Sequence, residues 1–348
     1  MSVISLRELR ASVIDKTAFT VLDDYRRISE EFLTYLASTP PTNIISPLHP
    51  NYRFYQFGQE ENHKITRPLN STLYLTNANK FNAAFKRFIA FLNTLRQHRE
   101  KIVDNARWQK YIAGNELHEV VYTMQQSIGC IADSFSESNQ ARKRTGQLFE
   151  NLIKLIIREI GLVCEPRTIK IPIPDTDGDI MRYELDVVFS RNPAVLAAER
   201  SAGTLATSAN QTGEAIEPQS PSPAAKIDFI SEHEVVGSVK TTSKDRIDKI
   251  FLDKFLMTQL LGRDIPVVAV FLHDVQRSAT GSGEGKSIFG IASTFKTGHF
   301  LGYTAALNKL DGVYYVDPRP EMRTNPRLQA QIRDFQQFLV YDLWTLTK

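Results

Sequence analysis

The apolar positions of this chain change their period near Gly161, from helical spacing before it to strand spacing after it. Upstream, Phe85, Phe88, Phe91, Leu92 and Leu95 recur at helical intervals, and Pro40-Pro41 and Pro47 to Pro50 interrupt the pattern. Residues 1–143 therefore read as a mainly helical N-terminal subdomain. An amphipathic helix from about Arg144 to Ile160 follows, with Phe149, Leu152, Ile153, Ile156 and Ile160 on one stripe and Gly161 as its stop signal. Ile169 to Pro174 and Tyr183 to Phe189 then read as two strands of a meander, joined through the turn residues Asp175-Thr-Asp-Gly-Asp179.

From about 197 to 225 the chain is Ser, Ala, Thr, Gly, Pro and Glu with no aromatic residue, a composition that buries too little surface to order itself, so a flexible insertion is expected. Beyond it, Val235, Val236 and Val239 mark a strand whose alternation sets Glu234, Val236, Ser238 and Lys240 on one face. Thr242-Ser-Lys-Asp245 fits a capping box, and Ile247, Ile250, Phe251 and Phe255 continue as a helix starting near Ser243 and ending near Leu261. The unbroken apolar run Ile265 to Leu272 suits the centre of a sheet. Strand, helix, strand implies a right-handed parallel crossover, and residues 144–348 read as an α/β core.

Composition narrows this picture modestly. With 348 residues and 42% hydrophobic content, the chain can bury a sizeable core. A net charge of +3 permits an acidic polymer as partner without requiring one. No apolar run approaches the ~20 residues that span a bilayer, and the N-terminus lacks a signal-peptide core, which points to the cytoplasm and to no membrane partner. Cys130 and Cys164 are too few for a disulfide framework or a zinc site and suit buried thiols.

The candidate chemistry lies on the strands. Asp186 stands among apolar neighbours, where a carboxylate is costly unless it meets a metal or an opposite charge. Lys240 ends a strand able to pair beside it. An ion pair at a sheet edge and a hydrolytic metal site both account for these two residues. Asp245 is equally a helix N-terminal acid, and Lys244 and Arg246 a solvated charged face.

Taken together, these residues resemble the type II restriction endonucleases of the PD-(D/E)xK nuclease superfamily, in the branch cutting sites built on CCGG or CCNGG. In that branch the acid of the (D/E)xK strand is replaced by a small residue, and an acid on the next helix takes over its metal-binding role. Here Ser238-Val-Lys240 occupies the strand, and Asp253 lies thirteen residues beyond the lysine. The branch's Arg-(Asp/Glu)-Arg triplet has its counterpart in Lys244-Asp245-Arg246, and an upstream helical glutamate in Glu150. Leu185 precedes Asp186 where the pattern has proline, Asp253 replaces glutamate, and Lys244 replaces the first arginine, which lacks nothing in charge but does lack the planar fork that grips guanine O6 and N7.

The resemblance implies a central mixed sheet flanked by helices and a bacterial, cytoplasmic enzyme of a restriction-modification system. It implies a homodimer, or a pair of dimers, cutting double-stranded DNA at a short palindromic G·C-containing site with Mg²⁺ and no nucleotide cofactor. Asp186, Glu150 and Asp253 would hold the metal, and Lys240 would position and help deprotonate the attacking water. Lys244, Asp245 and Arg246 would read bases, with Ser238 and Thr242 assigned to the same DNA surface. A structure-specific or repair nuclease of the same fold, or a DNA-binding protein without catalysis, is the alternative.

Other motifs carry weaker signals. Gly281-Ser-Gly-Glu-Gly285-Lys286-Ser287 is one residue short of a phosphate-loop spacing and precedes a strand rather than a helix, so it reads as a hairpin loop. Arg142-Lys143-Arg144 is a basic run at a helix start, and His273-Asp274 a strand-end pair with no third triad member. Tyr314-Tyr315 reads as a strand after a turn, and Asn51-Tyr-Arg-Phe-Tyr-Gln fits DNA contact and core packing equally.

Overall fold

A computed structural model describes residues 4–58, 64–104, 114–135, 137–173, 179–191, 230–244, 246–281 and 286–347. The expected insertion at 197–225, Asp245 and most of the turns at 175–179 and 281–287 lie outside the described residues.

The N-terminal half is built from α1 (Leu6–Ile14), α2 (Leu22–Ser38), α3 (Ala78–Asp104) and α4 (Glu116–Asp133), followed by α5 (Ser138–Glu159). Ser5 caps α1 reciprocally with Glu8, satisfying two backbone donors at once. Helix α4 is buried on nearly every side, its polar His118, Gln125 and Gln126 included, and touches α1, α2, α3 and α5. Helix α5 begins six residues before the expected Arg144, because residues upstream of the apolar stripe continue it as an exposed first turn and a half. It stops at Gly161, whose φ of 96° only glycine adopts readily.

The proline-interrupted segment between α2 and α3 is not irregular. It forms an antiparallel sheet of β1 (Thr42–Ile45), β2 (Tyr52–Gln56) and β3 (Leu69–Asn70). The open choice for residues 51–56 falls to packing at Phe54 and Tyr55, which are buried against Phe289 and Tyr74.

The central sheet contains β4 (Val163–Pro172), β5 (Ile180–Ser190), β6 (Val235–Thr242), β7 (Val267–His273), β10 (Gly312–Tyr315) and β11 (Ile332–Asp334), with a separate hairpin of β8 (Val275–Thr280) and β9 (Ser287–Ser293). Its order is β11-β10-β7-β6-β5-β4. Strands β4, β5 and β6 run antiparallel, and β6, β7, β10 and β11 run parallel. The crossover from β6 to β7 is α6 (Ile247–Leu261), and α7 (Thr297–Ala306) precedes β10. Central strand β7 shows why an unbroken apolar run belongs here. Val268, Val270 and Leu272 pack toward the α5 side, while Val267, Ala269 and Phe271 pack toward α6 and α7. The helical half and the α5 face of the sheet share one continuous apolar core.

Two local features differ from expectation and both border the site. Helix α6 starts at Ile247, not near Ser243, and its N-cap residue, Arg246, makes no side-chain cap. Thr242 instead ends β6, paired with His273, and a residue held in the ladder does not cap a helix. Ser243 is buried with its hydroxyl 3.1 Å from that of Thr294, and its carbonyl accepts from Arg246 N–H in a turn before the helix. In β5 the pairing with β4 slips between Glu165↔Val188 and Arg167↔Leu185, so Asp186 and Val187 together oppose Pro166. Proline has no N–H to give the ladder, and the bulge forms where that donor is missing. It also swaps the faces of β5: Leu185 packs toward α6, Val187 toward α5.

Candidate active site

The ladder between β5 and β6 is short, running from Phe189↔Val235 to Val187↔Gly237. The last pair is close enough that a Cβ on Gly237 would lie 2.6 Å from Val187 Cγ2, so glycine is required there for steric reasons. Immediately beyond it the strands no longer pair. The Val239 N–H that would continue the ladder donates instead to Asp186 Oδ2 at 2.8 Å. The same oxygen accepts from Ser238 Oγ at 3.2 Å and from Lys240 Nζ at 2.6 Å. Three donors on successive residues of one strand thus hold one oxygen of a bulge carboxylate, and Oδ1 makes no hydrogen bond among the described residues.

Lys240 also reaches α5, donating to Glu150 Oε1 at 3.0 Å. Burial pushes the Glu150 carboxyl above its ordinary range and the Asp186 charge pushes it further, with Lys240 pulling the other way. Burial pulls the Lys240 ammonium down, but the attraction of Asp186 and Glu150 outweighs this and leaves it raised. The trio is therefore two carboxylates competing for one firmly charged ammonium.

Asp253 on α6 lies in the same cleft, about 500 Å³ and lined among others by Asp186, Ser238, Lys240, Arg246 and Lys249. It does not join the trio. Its Oδ2 is 2.5 Å from Lys249 Nζ, one helical turn earlier. Burial raises the pKa of Tyr183, with Asp253 adding to the effect across the cleft. Among the described residues no three His, Cys, Asp or Glu side chains stand close enough together to hold a metal ion as they are placed. The free oxygens of Asp186 and Glu150 are hard donors of the type Mg²⁺ takes one or two at a time, with water in its other positions. These two carboxylates are thus of a chemistry that could hold such an ion, while Asp253 is engaged by Lys249.

The remaining expected residues separate. Arg246 lines the cleft at the start of α6, and Lys244 is exposed on the turn before it. Thr242 is partly exposed at the end of β6. Ser238, expected on the DNA surface, uses its hydroxyl within the site, on Asp186. In the basic run at 142–144, Arg144 donates to the carbonyls of Val13 and Asp15 at the end of α1 and so serves packing. His273 is buried, with its pKa depressed to about 3, and accepts from Val275 N–H, which removes it from acid-base work near neutrality. Residue Ser287 opens β9, a strand, as expected.

Lys249 and Tyr183 were missed. The Lys249 and Asp253 spacing of four on a helix was a legible signal. The position of Tyr183 was not, since it depends on the bulge.

No protein-family model and no curated protein sequence matches the chain. Among solved structures, the crystal structure of the Type IIP restriction endonuclease Kpn2I matches with a TM-score of 0.59 and 16% identity, over 98% of this chain and 97% of that one. The two chains share a fold. A complex of the restriction endonuclease PspGI with substrate DNA matches over 66% of this chain and 80% of that chain at 12% identity, with a TM-score of 0.36, too low to carry weight. The shared fold with Kpn2I includes the helical half as well as the sheet, since the match runs almost end to end. No helix among the described residues is long and apolar enough to cross a membrane.

Proposed function

We propose that this chain is a site-specific endonuclease of double-stranded DNA that works with Mg²⁺, acting as a homodimer on a short palindromic G·C-containing site in a restriction-modification system. The observation that carries this reading is the ammonium of Lys240 held between Asp186 and Glu150 at the end of a strand bearing Ser238, with Asp253 across the same cleft. The fold shared with Kpn2I supports it. An ordinary ion pair needs one carboxylate per ammonium; two partly buried carboxylates on separate elements are better explained by a site that a second cation completes.

Asp186, Glu150 and Asp253 are the residues that would hold the ion. Bound there, Mg²⁺ supplies Lewis acidity to the phosphoryl oxygen and lowers the pKa of its water. The chain's own groups do the rest. Val239 N–H and Ser238 Oγ fix Asp186 so that its free Oδ1 faces one way. Lys240 donates protons to oxygen atoms, so it orients the attacking water and meets the charge growing on the phosphate. Lys249 must release Asp253 first. An exposed pair four apart on a helix is worth only about 0.3–0.5 kcal/mol, so the release is easy, and the freed ammonium is placed to meet a DNA phosphate. Arg246 would donate to a guanine and Asp245 accept from cytosine N4, with Lys244 on a guanine or a phosphate.

Phage DNA incubated with the protein and Mg²⁺ should give discrete fragments whose sequenced ends share one motif. Lys240→Ala should end cleavage while leaving binding in Ca²⁺ largely intact. A smear or junction cutting points to a structure-specific nuclease, and undiminished cutting by the variant rejects this site.

A further inference from the structure

A second cleft opens past the carboxyl ends of β7 and β10, where Val275 and Asp317 line it. It encloses about 670 Å³ and is lined among others by Asn51, Tyr52, Asn70, Asp317, Arg319 and Arg323. Asp317 follows β10 and is 7% exposed. Its Oδ1 accepts from Asn70 Nδ2 at 3.0 Å, and that amide is locked by Thr72, whose N–H and hydroxyl both donate to Asn70 Oδ1. Its Oδ2 is buried without a hydrogen-bond partner of good geometry, although the Tyr52 hydroxyl stands against the carboxyl. A carboxyl oxygen left in that state is costly, and folds keep few of them without a use. At the mouth, neither Arg319 nor Arg323 donates a side-chain hydrogen bond among the described residues. Each has a carboxylate no nearer than 3.9 Å, Asp274 and Asp334 respectively.

The register ties this cleft to the candidate active site. Lys240 pairs with Phe271, and Phe271 with Tyr315, so Asp317 lies two strands over and two residues further toward the same carboxyl end. Strand spacing and rise put the two Cα atoms roughly 12 Å apart. A duplex rises 3.4 Å per base pair, so the separation is about three to four base pairs.

We infer that this cleft is a second reading head for duplex DNA, in which the Asp317 carboxyl accepts from the exocyclic amino group of a cytosine or an adenine while Arg319 and Arg323 meet the neighbouring phosphates. The inference rests on the endonuclease reading and extends it to a base pair outside the reach of Lys244 and Arg246. Cytosine N4 and adenine N6 are the amino donors of the major groove, and a buried acceptor discriminates sharply because it is left unpaired by any other base. Asn70 holds the carboxyl in plane, and the Tyr52 hydroxyl gives way to the incoming amino group.

The test is selection of duplexes from a randomised oligonucleotide pool by the full chain in Ca²⁺, where nothing is cut. Wild type should enrich one motif. Asp317→Asn, which keeps the shape of the side chain, should enrich the same motif with one base pair on each side degenerate, a roughly 10- to 100-fold loss of discrimination there. Arg319→Ala with Arg323→Ala, both at the exposed mouth, should weaken binding evenly across sequences and lower the slope of log affinity against log salt by about one for each contact. A motif unchanged by Asp317→Asn overturns this inference alone. If that variant does not fold, an unchanged salt slope in the arginine variant does so. A wild type that enriches no sequence overturns both this inference and the endonuclease reading.

Discussion

The two clefts at the carboxyl end of the sheet solve the same electrostatic problem in different ways. At the first, burial and a like charge raise Glu150, and the fold answers with a cation, placing Lys240 within 3.0 Å of Glu150 and 2.6 Å of Asp186. At the second, burial raises Asp317 to about 7, Asp274 adds to the effect, and among the described residues no ammonium or guanidinium forms a close pair with it. The fold answers there with a proton. A paired carboxylate is ready to share its charge with a second cation, whereas a carboxyl near its midpoint suits a ligand that brings a hydrogen-bond donor. Under the proposed function, the first cleft is a place for chemistry and the second a place for reading.

Three changes press on that distinction. The largest effect is expected from Asp186→Asn, which removes the charge under three donors. Cleavage measured in single turnover with Mg²⁺ should fall by roughly 10²- to 10⁴-fold, in line with the several kcal/mol that such a ligand commands. A loss below tenfold would place the metal elsewhere.

Next is Asp317→Asn, read as stability against pH. The unfolded carboxyl titrates near its ordinary value of about 3.9, and the folded one near 7, so between those values the native state holds a proton that the unfolded state has lost. Wild-type stability therefore falls as pH rises through that window and levels off above it. Asp274 faces the group and opposes its ionisation, while Asn70, Arg323 and His118 favour it. The variant should match wild type near pH 4 and exceed it by up to about 4 kcal/mol above pH 7 in denaturant melts. A gap that stays constant with pH would show that Asp317 is ionised throughout, like the carboxylates of the first cleft.

The smallest effect belongs to Lys249→Ala. Stability should change by less than about 0.5 kcal/mol, as for any exposed pair on a helix, while metal binding followed by calorimetry should tighten by roughly twofold. Weaker metal binding would mean that Lys249 assists Asp253 rather than competing for it.

Much of the site was legible before the structure because it rests on local chemistry. A charged residue in an apolar strand is conspicuous, and Asp186 and Lys240 do meet. The even apolar run of β7 announced a strand covered on both faces, and the helical stripes of α5 and α6 announced the covering layers. The start of α6 was misplaced because Thr242 has two partners available, the helix N-terminus or the neighbouring strand, and only the extension of β7 to His273 decides between them. The β1–β3 sheet was missed since its prolines signal only where helix cannot be.

Periodicity and residue type were enough to set the layers, the crossover and the pair Asp186 and Lys240, because burial and hydrogen bonding along one element depend on neighbours close in the chain. What depended on distant neighbours was settled by packing alone. Pro166 lies opposite the bulge at Asp186, Lys249 pairs with Asp253, and Asn70 meets Asp317 across 247 positions of sequence. The cost of leaving a buried carboxyl half satisfied is a property of its surroundings in space, and no stretch of chain carries that information on its own.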